Sequence, residues 1–228
     1  MEFLTGISPR EYQEKIFDTC KEKNCLVVLP TGLGKTLIAL MLSIERLRNF
    51  PREKILFLAP TKPLVEQHLN YFKKHLPELF ADMQLFTGQI NPEKRKKIWQ
   101  TAEIIFSTPQ CIANDLKNSL YDLKDVCLLI EDEAHKCLKN YDYNYVAKEY
   151  LKQGINQRLV GLTASPGSEE SKIKEIWEML YGFNISEIRG FRIENNKVNY
   201  IYAPTRTEAF TIPFIKLSLR MTIFFTIL

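Results

Sequence analysis

The sequence lacks the features that mark disulfide-stabilised, membrane-spanning and secreted proteins. Its five cysteines are odd in number and show neither a CxxC pair nor a Cys/His spacing suited to a metal. No apolar run reaches the roughly 18–20 residues of a spanning helix. The tail Phe210–Leu228 comes nearest, but Pro213, Lys216 and Arg220 interrupt it. Because a basic start followed by an apolar segment is also missing, we expect a cytoplasmic protein with free thiols and no membrane partner.

A large excess of charge of one sign is missing as well. The chain has 31 Lys and Arg residues against 27 Asp and Glu, a net charge of +4, which permits a polyanionic partner without requiring one. Low-complexity segments and internal repeats are absent, and a hydrophobic content of 45% is that of a folded globular protein. At roughly 150 residues per domain, the 228 residues predict one large or two small domains.

What the sequence does contain is an alternation of short apolar runs with longer amphipathic ones. The short runs are continuously apolar, as in strands covered on both faces, and they are residues 25–29, 54–58, 84–86, 103–106, 126–130 and 158–162. Helical patterns occupy residues 35–48, 64–76, 92–99, 111–120 and 173–180. The alternation predicts an α/β fold with a doubly wound, mostly parallel sheet and helices on both faces. Its ligands should lie outside the carboxyl ends of the strands.

The segment Leu26–Thr36 carries the strongest functional signal. An apolar strand runs into a glycine-rich loop and an amphipathic helix follows at once, which is the context of a phosphate-binding loop. Glycines let the backbone turn its N–H groups toward one centre at the helix N-terminus. The general pattern GxxxxGK[ST] has glycine where this chain has Leu29, but GxGKT with these flanks is specific. The residues predicted to bind a nucleoside triphosphate are Pro30, Thr31, Gly32, Leu33, Gly34, Lys35 and Thr36.

A pair of adjacent carboxylates, Asp132 and Glu133, follows the apolar run at residues 126–130. A strand that delivers Asp132 to the carboxyl edge of the sheet places it near Thr36, so these two side chains are predicted to ligate Mg²⁺. Lys35 is predicted to reach the β- and γ-phosphates, and Glu133 to orient and deprotonate the attacking water. The predicted catalytic residues are therefore Lys35, Asp132 and Glu133.

The segment Asp132-Glu-Ala-His135 is itself the signature of superfamily 2 nucleic-acid helicases, and other segments resemble motifs of that family in the family's order. They are Arg10–Gln13, Ala59–Lys62, Thr87–Gln89, Ser107–Gln110 and Thr163–Ser165. The residues around them are most similar to archaeal Hef helicases and Fanconi-anaemia group M helicases. The resemblance covers residues 9 to about 181 and implies a RecA-like P-loop domain.

The resemblance also implies roles for these residues. Arg10 and Gln13 would bind the adenine, which makes ATP the preferred nucleotide. His135, Thr163 and Ser165 would link the state of the phosphates to domain movement. The implied function is that of an ATP-dependent helicase or translocase, associated with DNA and acting on its branched or forked forms.

Three loops are predicted to hold nucleic acid, because each follows a predicted strand and opens on the same edge as the nucleotide. Small hydroxyls, amides and backbone N–H groups suit sequence-independent contacts with phosphates, and the similar family motifs hold one strand in this way. The candidate residues are Pro60, Thr61, Lys62, Gly88, Gln89, Thr108, Pro109 and Gln110. The basic run Glu93–Lys97 beside Trp99 either adds electrostatic attraction or is only a solvated helix face.

A counterpart of the family's second RecA-like domain is missing, since no Q-x-x-G-R-x-x-R motif follows Ser165. An arginine finger from such a domain is worth roughly 10³–10⁵ in turnover. We expect residues 1–181 to form the first RecA-like domain and residues 182–228 to form a C-terminal extension of uncertain structure. By itself the chain should hydrolyse ATP weakly or not at all.

Two alternative functions stay open. The chain can be an isolated module that binds ATP and nucleic acid without useful turnover. It can also be an RNA-directed superfamily 2 ATPase, because the family motifs contact backbone and not bases. A P-loop kinase or GTPase is disfavoured, since neither an acceptor-substrate lid nor a guanine-reading N-K-x-D segment is present.

Overall fold

A computed structural model of the chain describes residues 3–139, 141–164, 187–194 and 197–204. Its strands are β1 (Cys25–Val28), β2 (Lys54–Leu58), β3 (Met83–Phe86), β4 (Ile104–Ser107), β5 (Val126–Asp132), β6 (Leu159–Thr163), β7 (Glu187–Glu194) and β8 (Lys197–Pro204). Its α-helices are α1 (Glu11–Glu22), α2 (Lys35–Asn49), α3 (Lys62–His75), α4 (Pro92–Thr101), α5 (Pro109–Lys117) and α6 (Tyr141–Gln153). A 3₁₀ helix, Ala134–Lys139, follows β5.

The strands form one sheet in the order β3-β4-β2-β5-β6-β1-β7-β8. Every neighbouring pair is parallel except β7 and β8, which are antiparallel. On the two sides of β6, Val28 of β1 pairs with Thr163 and Asp132 of β5 pairs with Leu162. The carboxyl ends of β1 and β5 therefore lie at the same edge of the sheet, one strand apart.

Helices cover both faces of the sheet. The first face packs against α1, α2 and α3 and contains Val27, Phe57 and Ile130. The second face packs against α4, α5 and α6 and contains Leu26 and Leu129. Strands β1, β2 and β5 are buried along their whole length, which explains why their apolar residues, at 25–28, 55–58 and 126–130, are consecutive and do not alternate with polar ones.

The predicted fold class is confirmed: the domain is α/β, with a sheet that is mostly parallel and lies between two layers of helices. The predicted strands and four of the predicted helices correspond to β1–β6 and α2–α5. The predicted helix at residues 173–180 and the tail at residues 210–228 lie outside the described residues. The structure adds α1, α6, β7 and β8, which the sequence pattern did not predict.

Strands β7 and β8 come from the segment predicted to be an extension of uncertain structure. Strand β7 pairs with β1 from Cys25 to Val28, so it belongs to the same sheet as the phosphate-binding strand. The division at residue 181 stays a prediction.

Two further features concern the cysteines and the lengths of the helices. All five cysteines are buried. Among the described residues, no helix is both long enough and apolar enough to cross a membrane.

Candidate nucleotide site

The phosphate-binding loop connects β1 to α2 and places its backbone in a left-handed conformation twice. Gly32 has a φ of 85° and Gly34 a φ of 81°, angles that side chains with a Cβ adopt only at a cost. A Cβ on Gly34 would lie 2.1 Å from Nε2 of Gln13, so a side chain there would also push the end of the Gln13 side chain aside. The chain therefore enters α2 with its first N–H groups turned toward the cleft, as an anion-binding helix N-terminus requires.

Lys35, the first residue of α2, folds back over this loop. Its Nζ donates a hydrogen bond to the carbonyl of Leu29, at 2.9 Å. Burial lowers the pKa of Lys35, and the nearby charges of Asp132 and Glu133 oppose that shift. The ammonium group is thus close to both carboxylates on the opposite side of the cleft.

Helix α1 is tied to the phosphate-binding loop at one carbonyl. Nε2 of Gln13 donates to the carbonyl of Leu33 at 3.1 Å, and the hydroxyl of Tyr12 donates to the same oxygen at 2.9 Å. Oε1 of Gln13 accepts from the backbone N–H of Arg10 at 2.8 Å. Of the predicted adenine-reading residues, Gln13 therefore touches the loop directly, and Arg10 is joined to it through Gln13. Tyr12 was not among the predicted site residues, although it lies within the Arg10–Gln13 motif.

The two predicted carboxylates lie at the end of β5 in different settings. Asp132 is only 5% exposed, and its backbone carbonyl accepts a hydrogen bond from the hydroxyl of Tyr143 at 2.8 Å. Glu133 is half-buried and has a φ of 53°, a left-handed conformation that costs a residue other than glycine roughly 1–2 kcal/mol. This turn swings Glu133 away from the strand direction and toward the cleft.

Asp132 is held by a histidine that sequence reasoning missed. Nε2 of His68, on α3, lies 2.7 Å from Oδ2 of Asp132, and Nδ1 of the same ring lies 3.5 Å from Oγ1 of Thr36. The side chain of His68 is 8% exposed. One buried imidazole therefore connects the two predicted metal ligands. The motif around Lys62 indicated a helix N-terminus there, but nothing in it indicated a contact six residues further on.

The predicted coupling residues are brought together as far as the structure describes them. Nδ1 of His135 lies 2.9 Å from Oγ1 of Thr163 and 3.2 Å from Oε2 of Glu133. Burial lowers the pKa of His135, while the charge of Glu133 raises it. Since Thr163 ends β6, this contact links the carboxylate motif to the neighbouring strand. Ser165 lies outside the described residues.

These residues surround one cleft of about 520 Å³, a volume within the range of small-molecule sites. Of the predicted nucleotide-binding residues, all except Pro30 line it; they are Arg10, Gln13, Thr31, Gly32, Leu33, Gly34, Lys35 and Thr36, together with Asp132 and Glu133. His68 and Tyr71 of α3 also line the cleft. Segments that are far apart in the sequence thus meet at the carboxyl edge of the sheet.

The three loops predicted to hold nucleic acid follow β2, β3 and β4, which are neighbours in the sheet. Their strand ends are in register, because Ser107 pairs with both Leu58 and Phe86. Nζ of Lys62 donates to Oε1 of Gln89 at 3.1 Å, which joins the first two loops directly. The loops therefore form one continuous surface.

Exposure differs among the predicted nucleic-acid residues. Thr61, Lys62, Gly88, Gln89 and Gln110 are exposed. Pro60 and Thr108 are partly buried, and Pro109 is buried. The side chain of Pro109 is therefore a poor candidate for a direct contact.

The basic run Glu93–Lys97 divides into two groups on α4. Lys94, Lys96 and Lys97 are exposed, whereas Arg95 and Trp99 are buried. Helical periodicity turns Arg95 toward the second face of the sheet, so this residue does not present its charge on the surface. The electrostatic role proposed for the run can therefore apply only to its three exposed lysines.

Arg95 instead forms a buried ion pair below the second loop. Its Nε donates to Oδ2 of Asp115 at 2.7 Å, its Nη2 donates to Oδ1, and its Nη1 donates to the carbonyls of Thr87 and Ile90. The hydroxyl of Tyr121 donates to Oδ2 of the same carboxylate at 2.8 Å. Arg95 thus holds the backbone on both sides of Gly88 and Gln89.

Comparison with known proteins gives consistent matches. Residues 10–173 match the family described as DEAD/DEAH box helicase. The Fanconi anemia group M protein homolog of Mus musculus is 38% identical over 176 residues, covering 76% of this chain and 9% of that protein. A protein of Methanocaldococcus jannaschii named as a putative ATP-dependent RNA helicase is 39% identical over 183 residues, covering 80% of this chain and 23% of that protein.

Among solved structures, the helicase domain of Hef from Pyrococcus furiosus matches with a TM-score of 0.76 and 46% sequence identity. The match covers 82% of this chain and 40% of that one. The chain thus spans less than a quarter of the two curated relatives and under half of the solved chain.

Proposed function

Because this chain belongs to the DEAD/DEAH box helicase family, we propose that it is the ATP-binding lobe of an ATP-dependent DNA helicase or translocase. In this proposal, ATP hydrolysis drives movement of the protein along branched or forked DNA. The observation that carries this proposal is that β1 and β5 bring Lys35, Thr36, Asp132 and Glu133 around one cleft. This arrangement is what phosphoryl transfer to water requires.

Nucleotide binding is assigned to the loop and to α1. The left-handed glycines and the N-terminus of α2 present N–H groups to the phosphates, and Lys35 adds a positive charge. Gln13 and Arg10 lie where α1 meets the loop, and there they read the adenine. ATP is therefore the proposed nucleotide.

Thr36 and Asp132 are the side chains that fit a magnesium ion, since both offer oxygen atoms at the cleft. Among the described residues, no group of three or more His, Cys, Asp and Glu side chains is placed to hold a metal by itself. Two protein oxygens suit Mg²⁺, which takes its other ligands from nucleotide phosphates and water. When bound, the ion would neutralise charge on the phosphates.

Hydrolysis is assigned to Glu133, and coupling to the residues beside it. Glu133 is half-buried at the cleft, where its carboxylate can orient an attacking water and accept its proton. His135 contacts both Glu133 and Thr163, so it can pass a change at the phosphates to β6. Ser165 is proposed for the same coupling role on the family pattern alone.

Nucleic-acid binding is assigned to the surface formed by the loops after β2, β3 and β4. Lys62, Gln89, Thr61 and Gln110 are exposed there and can donate to phosphates without reading bases. Gly88 offers its backbone, and Pro60, Thr108 and Pro109 shape the loops. The proposed partner is DNA in an intracellular setting.

A second RecA-like domain is proposed to complete the motor and to supply an arginine finger. The first alternative, a binding module without useful turnover, applies to this chain alone when that domain is missing. The second, an RNA-directed ATPase, is favoured by the name of the M. jannaschii relative. Comparing forked DNA with duplex RNA as the activator separates the DNA and RNA forms.

The test is steady-state ATP hydrolysis by the chain, with forked DNA, with duplex RNA and without nucleic acid. Glu133→Gln should keep ATP binding and lower hydrolysis by about 10²–10⁴-fold, because the base is lost and the binding residues remain. Lys35→Ala should abolish ATP binding as well. The matched control is Glu78→Gln, an exposed glutamate far from the cleft, which should change nothing.

Equal hydrolysis in Glu133→Gln and the unaltered chain would remove Glu133 from the mechanism. ATP binding that depends on Lys35, without turnover under any condition, would support the binding-module alternative. Stimulation by duplex RNA and not by forked DNA would support the RNA-directed one.

A further inference from the structure

His68 occupies a position between the two side chains assigned to the metal. Its ring is buried, 2.7 Å from Oδ2 of Asp132 on one side and 3.5 Å from Oγ1 of Thr36 on the other. The ring also packs against Phe57, with centroids 4.5 Å apart. Both ring nitrogens are thus directed at side chains, while the ring plane is fixed by the core of the first face.

The chemistry of Asp132 and Thr36 determines which nitrogen of the His68 ring donates a hydrogen bond and which accepts one. An ionised carboxylate only accepts hydrogen bonds, so Nε2 of His68 carries a hydrogen and donates it to Asp132. In the tautomer with its hydrogen on Nε2, Nδ1 is an acceptor, and the hydroxyl of Thr36 donates to it. The result is a row of two hydrogen bonds, in which Thr36 donates to His68 and His68 donates to Asp132.

These two hydrogen bonds orient the Thr36 hydroxyl and the Asp132 carboxylate so that both can bind a cation. With its hydrogen directed at His68, the hydroxyl of Thr36 presents its lone pairs elsewhere, and Asp132 keeps Oδ1 for another partner. Groups outside the ligand shell that hold ligands in this way raise metal affinity, and their loss costs roughly 10–100-fold.

A second histidine on the same helix shows what a purely structural role looks like. His75 of α3 is also buried, at 8% exposed, and its Nδ1 lies 2.9 Å from the backbone carbonyl of Thr5. Its ring packs against Tyr71. His75 therefore anchors the N-terminal segment and contacts neither of the proposed metal ligands.

We propose that His68 is a positioning residue for the magnesium site, which sets the direction of the Thr36 hydroxyl and the Asp132 carboxylate. The inference rests on the proposed function, because it assigns a role at the same cleft. It adds a third element, α3, to a site otherwise built from the loop after β1 and the end of β5. The loop at the start of α3 contains Thr61 and Lys62, so the metal site and the proposed nucleic-acid surface share one helix.

The test measures metal dependence and not turnover. A fluorescent ATP analogue that cannot be hydrolysed is bound to the full chain while Mg²⁺ is titrated, and the Mg²⁺ concentration at half-maximal binding is recorded. His68→Leu should raise this concentration by about 10–100-fold. Binding of the analogue in EDTA should equal that of the unaltered chain, because the phosphate-binding loop is intact and no metal is present.

Two further variants make the result specific. His68→Gln keeps a donor that can reach Asp132 but has no acceptor at the position of Nδ1, because its carbonyl oxygen lies one atom further out, so its shift should be smaller than that of His68→Leu but measurable. His75→Leu is the matched control, which removes a buried histidine from the same helix and should leave the Mg²⁺ dependence unchanged.

An unchanged Mg²⁺ dependence in a folded His68→Leu variant would overturn the inference, as would an equal shift in His75→Leu. If His68→Leu does not fold, an unchanged dependence in His68→Gln overturns it in the same way. Failure of the unaltered chain to bind the analogue at any Mg²⁺ concentration would instead overturn the proposed function, and this inference with it.

Discussion

Strand β5 ends in two carboxylates that face opposite sides of the sheet and have opposite surroundings. Asp132 lies on the first face, where His68 contacts it and the cleft of Lys35 opens. Glu131 lies on the second face, is fully buried, and neither of its side-chain oxygens has a hydrogen-bond partner among the described residues. Adjacent positions in one strand thus carry an acidic side chain held by a histidine and one without a hydrogen-bond partner among the described residues.

The second face of the sheet also accommodates another buried acidic side chain. Asp115 is as deeply buried there, but it accepts hydrogen bonds from Arg95 and Tyr121. The difference lies in partners and not in depth, since buried polar groups are tolerated when they are hydrogen-bonded. Glu131 therefore weakens the fold, while Asp115 stabilises the loop above it.

The largest expected effect on stability comes from breaking the buried ion pair of Arg95 and Asp115. Arg95→Met should lower the free energy of unfolding by about 3–5 kcal/mol, because it leaves Asp115 charged and buried without its main partner. Urea denaturation measures the change. Lys97→Met, an exposed substitution on the same helix, should have almost no effect. A loss equal to that of Lys97→Met would show that the buried pair contributes little.

A smaller effect of opposite sign is expected at the unsatisfied carboxyl. Glu131→Leu should raise the free energy of unfolding by about 1–3 kcal/mol, because it removes unpaired polar atoms from an apolar face. Glu131→Gln should give less, since its amide stays unpaired. Urea denaturation at pH 7 distinguishes the three chains. Destabilisation by Glu131→Leu would reveal a partner for the carboxyl outside the described residues.

The third effect is a change of the free energy of unfolding with pH, which is small over one pH unit and accumulates over several. Burial raises the pKa of Glu131 well above its usual value of 4.5, so the folded chain keeps a proton that the unfolded chain releases as the pH rises above that value. The stability of the unaltered chain should therefore fall by about 1.4 kcal/mol per pH unit from pH 4.5 upward, until the raised pKa is reached.

The slope is measured as the difference between the unaltered chain and Glu131→Gln, which lacks the titrating group and shares every other one. Below pH 4.5 both states of Glu131 are protonated, and the difference should become constant. Parallel pH profiles across the whole range would mean that Glu131 is ionised in the folded chain.

Much of the architecture was predictable because the buried parallel strands leave a direct trace in the sequence. Strands β2 and β5 are covered on both faces, so each contains a run of consecutive apolar residues, at 55–58 and 126–130, and the phosphate-binding loop is local to a few residues. Helix α6 was missed although Tyr143, Val146, Ala147 and Tyr150 form a helical stripe, because tyrosines and charges mask its apolar face.

The contacts that complete the site could not be predicted, because they depend on how distant elements pack. Nothing near His68 in the sequence indicates that α3 reaches the end of β5, and the ring lies beside Asp132 because of how these distant elements pack. Arg95 looked like a member of a solvated basic run, and its burial depends on Asp115 from the next helix. Strand order and helix packing are properties of the whole chain and not of a motif.

The place of β1 in the sheet has a consequence for biosynthesis. Its strand partners are β6 and β7, which begin at Leu159 and Glu187, whereas β1 itself ends at Val28. At roughly 5–20 residues per second, a ribosome needs on the order of ten seconds to make β6 after β1 has emerged. During that interval an apolar strand waits unpaired, a state that favours aggregation and chaperone binding. The loop between β1 and α2 thus takes its final position only after most of the domain has been translated.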